Sequence, residues 1–255
     1  MQDTISIVTS CSAKGWEEYG QYCIPTIIQN WPEDITVHFV TEDILDFTEL
    51  PVFSKDRFLT WPLSISVYYR TFYDRYKYNQ RARGTTIHNF YNYKFDAWKF
   101  SKKVFAIQMI STLFPTGRLI WLDADVNTFK PIPKEMLKRL SPDDTHLTFL
   151  ARKNMHSECG FVIYNLNHPE TRQFILQFAE IYSTGGMFNL KEWHDSYVFD
   201  WLRENFRPKL QEFQIPHTNP LHPFNYSELG LYMDHWKGNI RKKHRCSRDH
   251  PRMPK

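Results

Sequence analysis

The chain has 255 residues and a net charge of +4, and its 42% hydrophobic and 16% aromatic content can build a full-sized core in one large or two small domains. Its four cysteines are scattered, with no CxxC pair and no Cys-His finger spacing, which argues against a disulfide framework and a structural zinc site. The polar N-terminus and the lack of any run of roughly 20 apolar residues indicate neither a signal peptide nor a membrane span, so we expect a cytoplasmic protein.

The first part of the chain predicts a strand, a helix and a second strand. Residues 5–10 are a short apolar run that ends in small polar residues. Residues 16–31 carry apolar side chains at helical spacing, with Pro25 bending or splitting the helix. Residues 35–40 form the second apolar run, and a loop follows at residues 41–43. This spacing is typical of a βαβ unit, which implies a parallel pair of strands.

The middle of the chain is first irregular and then strongly patterned. Residues 44–91 contain prolines and a dense Tyr/Arg segment, and we predict loops and one short helix there. Residues 95–114 predict a helix. Residues 118–122 predict a strand whose last four residues are all apolar, as in the middle of a parallel sheet. Later elements are strands at 145–151 and 160–165, helices at 168–182 and 193–204, and an irregular segment from 206 onward.

These elements predict an α/β fold with a mostly parallel mixed sheet flanked by helices, in a single Rossmann-like domain over residues 1–255. No repeat, low-complexity segment or linker-like stretch divides the chain. From about residue 237 a basic tail carries most of the excess positive charge. Such a tail either contacts phosphates, nucleic acid or an anionic membrane, or is a solvated terminus.

Two carboxylates follow the most apolar strand. Asp123 and Asp125 are one residue apart, a spacing that places both side chains on the same side of an extended backbone. Carboxylates this close repel each other unless a cation lies between them, and a hard divalent ion takes such oxygen ligands. Thr9 and Ser10, at the end of the first strand, should open onto the same edge of the sheet. The pattern indicates a divalent-cation site, and the alternative is a solvated turn.

The Asp-Ala-Asp segment after an apolar strand resembles the DxD signature of GT-A glycosyltransferases. Residues 235–241 (HWKGNIR) are similar to the H-x-x-G-x-x-K motif of the family-eight retaining enzymes, which include glycogenin and bacterial lipopolysaccharide galactosyltransferases. Residues 158–165 (ECGFVIYN) resemble the N-x-G-x-x-x-x-N strand of that group. The resemblance implies a GT-A fold. It also implies transfer of a sugar from a nucleotide-sugar donor, a UDP-sugar, to a glycan or lipid-linked acceptor with retention of configuration.

The resemblance assigns roles to individual residues. Asp123, Asp125 and His235 would bind Mn²⁺ or Mg²⁺, and Asp123 would also lie near the ribose. The imidazole ligand suits manganese or a similar ion better than calcium. Gly238 would let the backbone approach the diphosphate. Arg241 would be the cation for the diphosphate, with Lys242 as its substitute. The full set of residues that we place at the nucleotide is Thr9, Ser10, Lys99, Lys103, Asp123, Gly238, Arg241 and Lys242.

Asp195 and Glu158 are the candidate catalytic residues. Asp195 falls where the resembled group has an acidic residue at the start of a helix, and we expect it to hold hydroxyls of the donor sugar. Glu158 is the second candidate, although it replaces a small polar residue of the family pattern. If the resemblance at His235 fails, an inverting enzyme needs a base, and either carboxylate would serve.

Other classes of function stay open. A nucleic-acid-binding protein would use the basic tail and the aromatic residues, but no RNP motif, zinc finger or helix-turn-helix signature is present, so we expect no nucleic-acid partner. A nucleotidyltransferase or phosphohydrolase also uses paired Asp residues, but no Gly-rich phosphate loop accompanies them here. The tail is expected to make peripheral contact with the inner face of an anionic membrane, which suits a lipid-linked acceptor. The oligomeric state is left open.

Overall fold

The computed structural model describes residues 4–42, 56–85, 89–238 and 245–246. Within these residues the strands are β1 Ile5–Cys11, β2 Thr36–Thr41, β3 Phe58–Pro62, β4 Arg118–Leu122, β5 Val126–Thr128, β6 Leu147–Leu150, β7 Glu158–Asn165, β8 Glu212–Gln214 and β9 Met233–His235. The α-helices there are α1 Ala13–Gly15, α2 Gln21–Asn30, α3 Val67–Tyr76, α4 Ala97–Leu113, α5 Lys134–Leu140, α6 Pro169–Ser183 and α7 Asp195–Asn205.

The central sheet has seven strands in the order β3-β2-β1-β4-β7-β6-β8. Four of its pairs are parallel, namely β1 with β2 and with β4, β2 with β3, and β6 with β8, whereas β7 runs antiparallel to β4 and β6. The predicted α/β fold with a mostly parallel mixed sheet is therefore confirmed. β2, the next strand along the chain, pairs with one edge of β1, and β4 later pairs with the opposite edge of β1. This reversal creates a crevice at the carboxyl ends of β1 and β4, where open sheets bind ligands.

Helices cover both faces of the sheet. Alternate side chains of one strand enter different cores, as the two-residue period of a strand requires. Ile7 and Ile120 pack with α2 and α5 on one face, whereas Val8 and Trp121 pack with α3, α4, α6 and α7 on the other. The buried strand β4 thus lies at the centre of three layers, and its carboxyl end is held from both sides.

The predicted helix over residues 16–31 starts earlier than expected. Helical backbone runs from Ala13 to Asn30 and contains a π-helical turn at Trp16–Gly20. Ser12 caps its start, because its hydroxyl accepts a hydrogen bond from the Gly15 N–H at 3.1 Å. Pro25 lies inside α2 and does not end it. None of the helices in the described part of the chain has the length and hydropathy that crossing a bilayer requires.

Four strands, β3, β5, β8 and β9, were not predicted. β5 has only three residues and directly follows the Asp pair. β3 lies in the segment that was predicted to contain loops and one short helix. The helix α3 confirms the predicted short helix there. Residues 43–55 and 86–88 lie outside the described residues. β3 is an edge strand, and an edge strand tolerates the Pro62 that ends it. β8 and β9 lie in the segment predicted to be irregular. Each has three residues, which is too short for a periodic pattern.

Candidate functional site

Asp123 and Asp125 lie in a turn directly after β4. The Val126 N–H donates to the Asp123 carbonyl at 3.1 Å, and the Asp123 N–H donates to the Gly160 carbonyl at 2.9 Å. The expectation that an extended backbone aligns the two carboxylates was therefore wrong. A turn brings them together, because the chain leaves the central sheet here and enters β5.

Strand β9 returns His235 to these carboxylates. β5 and β9 form a two-stranded antiparallel sheet in which Val126 lies opposite His235. The Asn225 side chain braces this pair, since its Oδ1 accepts from the His235 N–H at 3.2 Å and its Nδ2 donates to Asp234 at 2.9 Å. A residue far along the chain is thus held beside the Asp pair by backbone pairing and a buried amide.

The two carboxylates and the imidazole form a compact ligand set. Nε2 of His235 lies 3.2 Å from Oδ1 of Asp125 and 3.5 Å from Oδ2 of Asp123. One ligand atom from each residue lies within 4.8 Å of the others. Ligands about 2.1 Å from one ion are separated from their neighbours by about 3 Å, so these positions fit a small divalent cation. Asp125 and His235 are buried and Asp123 is half-buried, so the set opens on the side of Asp123.

The electrostatic environment of His235 favours positive charge. Burial lowers the pKa of its imidazole, but the carboxylates of Asp125, Glu158 and Asp123 outweigh burial and raise the pKa above its ordinary value. The cluster therefore stabilises a cation at the point where the three side chains meet.

Lys103 of α4 ties Asp123 to Asp195. Its ammonium donates to Oδ1 of Asp123 at 3.1 Å, to Oδ2 of Asp195 at 2.8 Å and to the Cys159 carbonyl at 2.5 Å. Burial lowers the pKa of Lys103, but the two carboxylates raise it well above its ordinary value. Burial likewise raises the pKa of Asp195, and the Lys103 ammonium more than reverses this. Lys103, which the sequence places at the nucleotide, thus joins two candidate site residues in a buried ionic bridge.

His194 fixes the start of α7 and hence Asp195. Its Nδ1 accepts the Tyr197 N–H at 3.4 Å, and its Nε2 lies 2.8 Å from Oε2 of Glu192. These contacts assign the ring proton to Nε2, which donates to Glu192. Burial lowers the pKa of His194, so the ring is neutral near pH 7 and keeps Nδ1 free to cap the helix.

Two further groups of the described residues bring donor atoms close enough for a metal ion, namely His146 with His168 and Glu170, and His156 with Glu192 and His194. In each group one histidine accepts a backbone N–H at Nδ1: His146 from Gln211 at 3.0 Å, and His194 from Tyr197. The proton of each neutral ring is therefore on Nε2, which faces a glutamate and has no lone pair for a metal. The Asp123, Asp125 and His235 group fits the chemistry of a metal site better.

Glu158 begins β7 and borders His235. It is 5% exposed, its Oε1 lies 3.9 Å from Nδ1 of His235, and its Oε2 forms an ion pair with Lys237. Burial raises the pKa of Glu158, but Lys237 and His235 lower it to about 2. Glu158 is therefore an ionised carboxylate behind the imidazole, on the side opposite the Asp pair.

Gly160 leaves room for the His235 ring. A Cβ there would lie 2.7 Å from Cε1 and 3.0 Å from Nδ1 of His235. We expect Gly160→Ala to displace the imidazole, to lower the free energy of unfolding by about 1–3 kcal/mol and to weaken Mn²⁺ binding. Urea denaturation and calorimetric titration measure the two effects. Gly186→Ala is the control, because its Cβ would lie 3.3 Å from the Ile181 carbonyl, away from the ligand set. An equal Mn²⁺ affinity in both variants would contradict this interpretation.

The other residues predicted to contact the nucleotide differ in how exposed their side chains are. Thr9 is fully buried inside β1, and its hydroxyl has no hydrogen-bond partner among the described residues. Ser10 donates to Oε1 of Glu42 at 3.3 Å, and Oε2 of Glu42 pairs with Lys102 at 3.0 Å. Lys99 is exposed, with its ammonium over the Phe100 ring. The side chains of Thr9 and Lys99 are thus not brought to the ligand set.

The C-terminal motif is described in part. Gly238 has φ of 83°, the left-handed region that favours glycine, and a Cβ there would meet no atom within 4 Å. Backbone conformation, rather than space, therefore requires glycine at this position. Arg241, Lys242 and most of the basic tail lie outside the described residues.

Sequence reasoning missed three side chains at the site. The Trp121 indole N–H donates to Oδ1 of Asp123 at 2.6 Å, and Asn225 braces β9 as described. Tyr19 is also near, since burial raises the pKa of its hydroxyl and the Asp125 carboxylate raises it further. Trp121 could have been found, because residues two apart on a strand share a face. No pattern in the sequence marks the other two.

Comparisons with known proteins support the fold. No protein-family model matches the chain, and no curated protein sequence does. A solved glycosyltransferase involved in the glycosylation of the major capsid of PBCV-1 has 12% sequence identity and a TM-score of 0.51, and the match covers 94% of this chain and 99% of that one. This likeness shows that the chain has the fold of a glycosyltransferase.

Two further solved structures match over most of the chain. Mouse xyloside xylosyltransferase 1, in its apo form, has 11% identity and a TM-score of 0.49, with 83% of this chain and 85% of that one covered. The apo glycosyltransferase GlyE of Streptococcus pneumoniae TIGR4 has 9% identity and a TM-score of 0.47 over 83% of this chain. The match spans 45% of the GlyE chain.

Proposed function

We propose that this protein is a metal-dependent glycosyltransferase that moves a sugar from a nucleotide-sugar donor, a UDP-sugar, to a glycan or lipid-linked acceptor with retention. The pairing of β5 with β9 carries the proposal, because it places Nε2 of His235 within 3.5 Å of both carboxylates of the Asp pair. The fold supports it, since this ligand set lies at the carboxyl end of β4, next to the crevice between β1 and β4. The order of the DxD and H-x-x-G segments favours the retaining outcome.

Asp123, Asp125 and His235 would hold the Mn²⁺ or Mg²⁺ ion. When bound, such an ion stabilises the negative charge of the departing diphosphate. Gly238 would bring left-handed backbone close to the diphosphate, and the half-exposed ammonium of Lys237 lies on the same segment. Arg241 or Lys242 would add a further cation.

Asp195 would hold the donor sugar by its hydroxyls. Lys103 lowers the pKa of this buried carboxyl, so Asp195 stays ionised at neutral pH, and an ionised carboxylate stabilises a cation-like sugar in the transition state. A general base works best when its pKa lies near the operating pH. Asp195, and Glu158 with a pKa of about 2, are both poorly suited to that task, which disfavours the inverting alternative.

Glu158 would act as a positioning residue for His235. An imidazole that binds a metal usually donates its other ring N–H to a carboxylate, which fixes the tautomer. Oε1 of Glu158, 3.9 Å from Nδ1 of His235, is on the correct side to receive that proton and to leave Nε2 for the ion. The ion pair with Lys237 balances the charge of this buried carboxylate.

Glu158→Gln is expected to lower the Mn²⁺ affinity about 10- to 100-fold, the usual effect of losing such a partner. The amide keeps the size of the side chain and loses the charge. Calorimetric titration of the purified protein measures the affinity without any assay of activity. Glu135→Gln, at an exposed carboxylate on α5, is the control. An unchanged affinity in Glu158→Gln would remove Glu158 from this role.

A thermal-unfolding screen tests the proposed function. UDP-, GDP-, CMP- and dTDP-sugars are compared with and without Mn²⁺. A ligand at 100 times its Kd stabilises the fold by about 2.7 kcal/mol, so the donor should raise the melting temperature in a metal-dependent way. The NMR coupling constant of the anomeric proton in the product then distinguishes retention from inversion. If no sugar nucleotide stabilises the protein and oligonucleotides bind in a salt-sensitive way, the nucleic-acid alternative replaces this proposal.

A further inference from the structure

A cavity of about 440 Å³ lies between the segment that joins β6 to β7 and the helix α7. Its volume is in the range of sites that bind small molecules. Met155 and His156 contribute to one wall, and Tyr197, Asp200, Trp201 and Glu204 form the other. The cavity contains none of the three ligands of the candidate metal site.

The cavity starts beside the candidate catalytic carboxylates. Ser157, in one wall, directly precedes Glu158, and Tyr197, in the other, lies two residues after Asp195. Tyr197, Trp201 and Glu204 recur at intervals of three to four residues, so they share one face of α7. From Tyr197 to Glu204 this face extends about 10 Å along the helix. The cavity therefore leads away from Asp195 as a short groove.

The walls of the cavity are held before any ligand binds. The Asp200 carboxylate accepts hydrogen bonds from the Ser157 N–H at 2.7 Å and from the Ser157 hydroxyl at 2.6 Å. Arg203 in turn pairs with Asp200 at 3.5 Å and with Glu212 at 3.0 Å. These bonds join α7 to the opposite wall, so a ligand meets a preformed surface and binding orders little of the protein.

The chemistry of the lining fits a carbohydrate. Trp201 is 37% exposed and Met155 is 44% exposed, so apolar surface faces the solvent. His156, Asp200 and Glu204 add polar groups, and arginines in the lining bring the opposite charge. A phosphate or a nucleic acid would favour a basic surface, and a lipid tail would favour an apolar one. A sugar ring has an apolar face and a rim of hydroxyls that both donate and accept, and it matches this mixture.

We propose that this cavity is the acceptor subsite and binds a sugar residue of the acceptor glycan, with Trp201 under the apolar face of the ring. The inference rests on the proposed function and narrows its choice of acceptor. The protein would recognise the sugar residues of the acceptor rather than a lipid tail. His156 and Glu204 are placed to bind the hydroxyls. The groove leads the remainder of the glycan along α7, away from the donor.

The first experiment separates acceptor binding from donor binding. Trp201→Ala is expected to raise the KM for the acceptor about tenfold, whereas the KM for the donor and the hydrolysis of the donor without acceptor stay unchanged. Trp201→Phe should restore most of the affinity, because it restores a ring. Tyr78→Ala, at an aromatic residue that is 87% exposed and outside the cavity, is the control. An unchanged acceptor KM in Trp201→Ala overturns the proposal.

The second experiment needs no turnover. The unmodified protein and Trp201→Ala are applied to an array of immobilised oligosaccharides. Glycans that bind the unmodified protein and are lost in the variant support the cavity, even if the donor screen fails. Equal binding of the glycans by both proteins overturns the proposal. The proposal is also overturned if the unmodified protein binds no glycan on the array and transfers sugar to no acceptor. If the donor still binds in a metal-dependent way in that case, the proposed function stands and the subsite lies elsewhere.

Discussion

Asp125→Asn is expected to lower the Mn²⁺ affinity and the rate of sugar transfer by at least about 100-fold, since even partners behind the ligands have effects of that size. The substitution keeps the shape of the side chain and removes its charge. Asp125 is buried, and its Oδ1 lies 3.2 Å from Nε2 of His235, so a neutral amide oxygen would replace the carboxylate at the centre of the ligand set.

The measurement is the stabilisation of the protein by Mn²⁺. At a concentration 100 times the Kd, the ion raises the free energy of unfolding by about 2.7 kcal/mol, and a 100-fold loss of affinity reduces this to about 0.4 kcal/mol. Asp34→Asn is the matched control, because Asp34 is exposed and pairs with Lys134 on the surface. A full Mn²⁺-dependent rise of the melting temperature in Asp125→Asn would show that Asp125 is not a ligand.

Lys103→Met is expected to lower the free energy of unfolding by about 3–5 kcal/mol. The thioether fills much of the same space, but Asp123 and Asp195 lose the ammonium that lies 3.1 Å and 2.8 Å from their carboxylates. The buried Asp195 carboxylate would then be left as an uncompensated charge, and Asp123 would lose one of its partners. Because the pKa of Asp195 is lowered chiefly by Lys103, its proton affinity should also rise in the variant.

Urea denaturation without metal measures this loss. Lys134→Met removes a surface ion pair of 2.7 Å with Asp34, and such pairs contribute only about 0–1 kcal/mol. Combining Lys103→Met with Asp195→Asn should recover part of the stability, since the second change removes one of the unpaired charges. If Lys103→Met is no less stable than Lys134→Met, the bridge does not stabilise the fold.

Long periodic elements could be predicted from the sequence, and short ones could not. β1, α4 and β4 each present enough residues to show a period or an apolar run, whereas β8 and β9 have three residues each and are defined by distant partners. β9 exists because it pairs with β5, and this contact is invisible in a local window. The same distant pairing sets the position of His235, which only the order of motifs had indicated.

The burial of several predicted site residues depends on tertiary packing. Thr9 was expected at the open end of β1, but β1 continues to Cys11, so the Thr9 side chain stays inside the sheet. Lys102 and Lys103 are both largely buried in ion pairs, because helices and strands surround α4 on most sides. Charge compensation of this kind depends on tertiary packing, and no spacing in the sequence reports it.

One departure from the pattern of the resembled group has a structural counterpart. Glu158 stands where the resembled group has a small polar residue, and its carboxylate pairs with Lys237, inside the C-terminal motif. The two charged residues neutralise each other across β7 and the segment after β9. In this chain the charge at position 158 is thus balanced by the charge at position 237.

The pairing of β5 with β9 also orders events during synthesis. The ribosome delivers the two carboxylates with the early parallel strands, more than one hundred residues before the imidazole at position 235. A nascent chain that stops short of β9 carries an Asp pair with no third ligand and no strand to cover β5. In the proposed function, Asp123, Asp125 and His235 would form a complete ligand set only after the late strand has docked, so metal binding would be one of the last folding events.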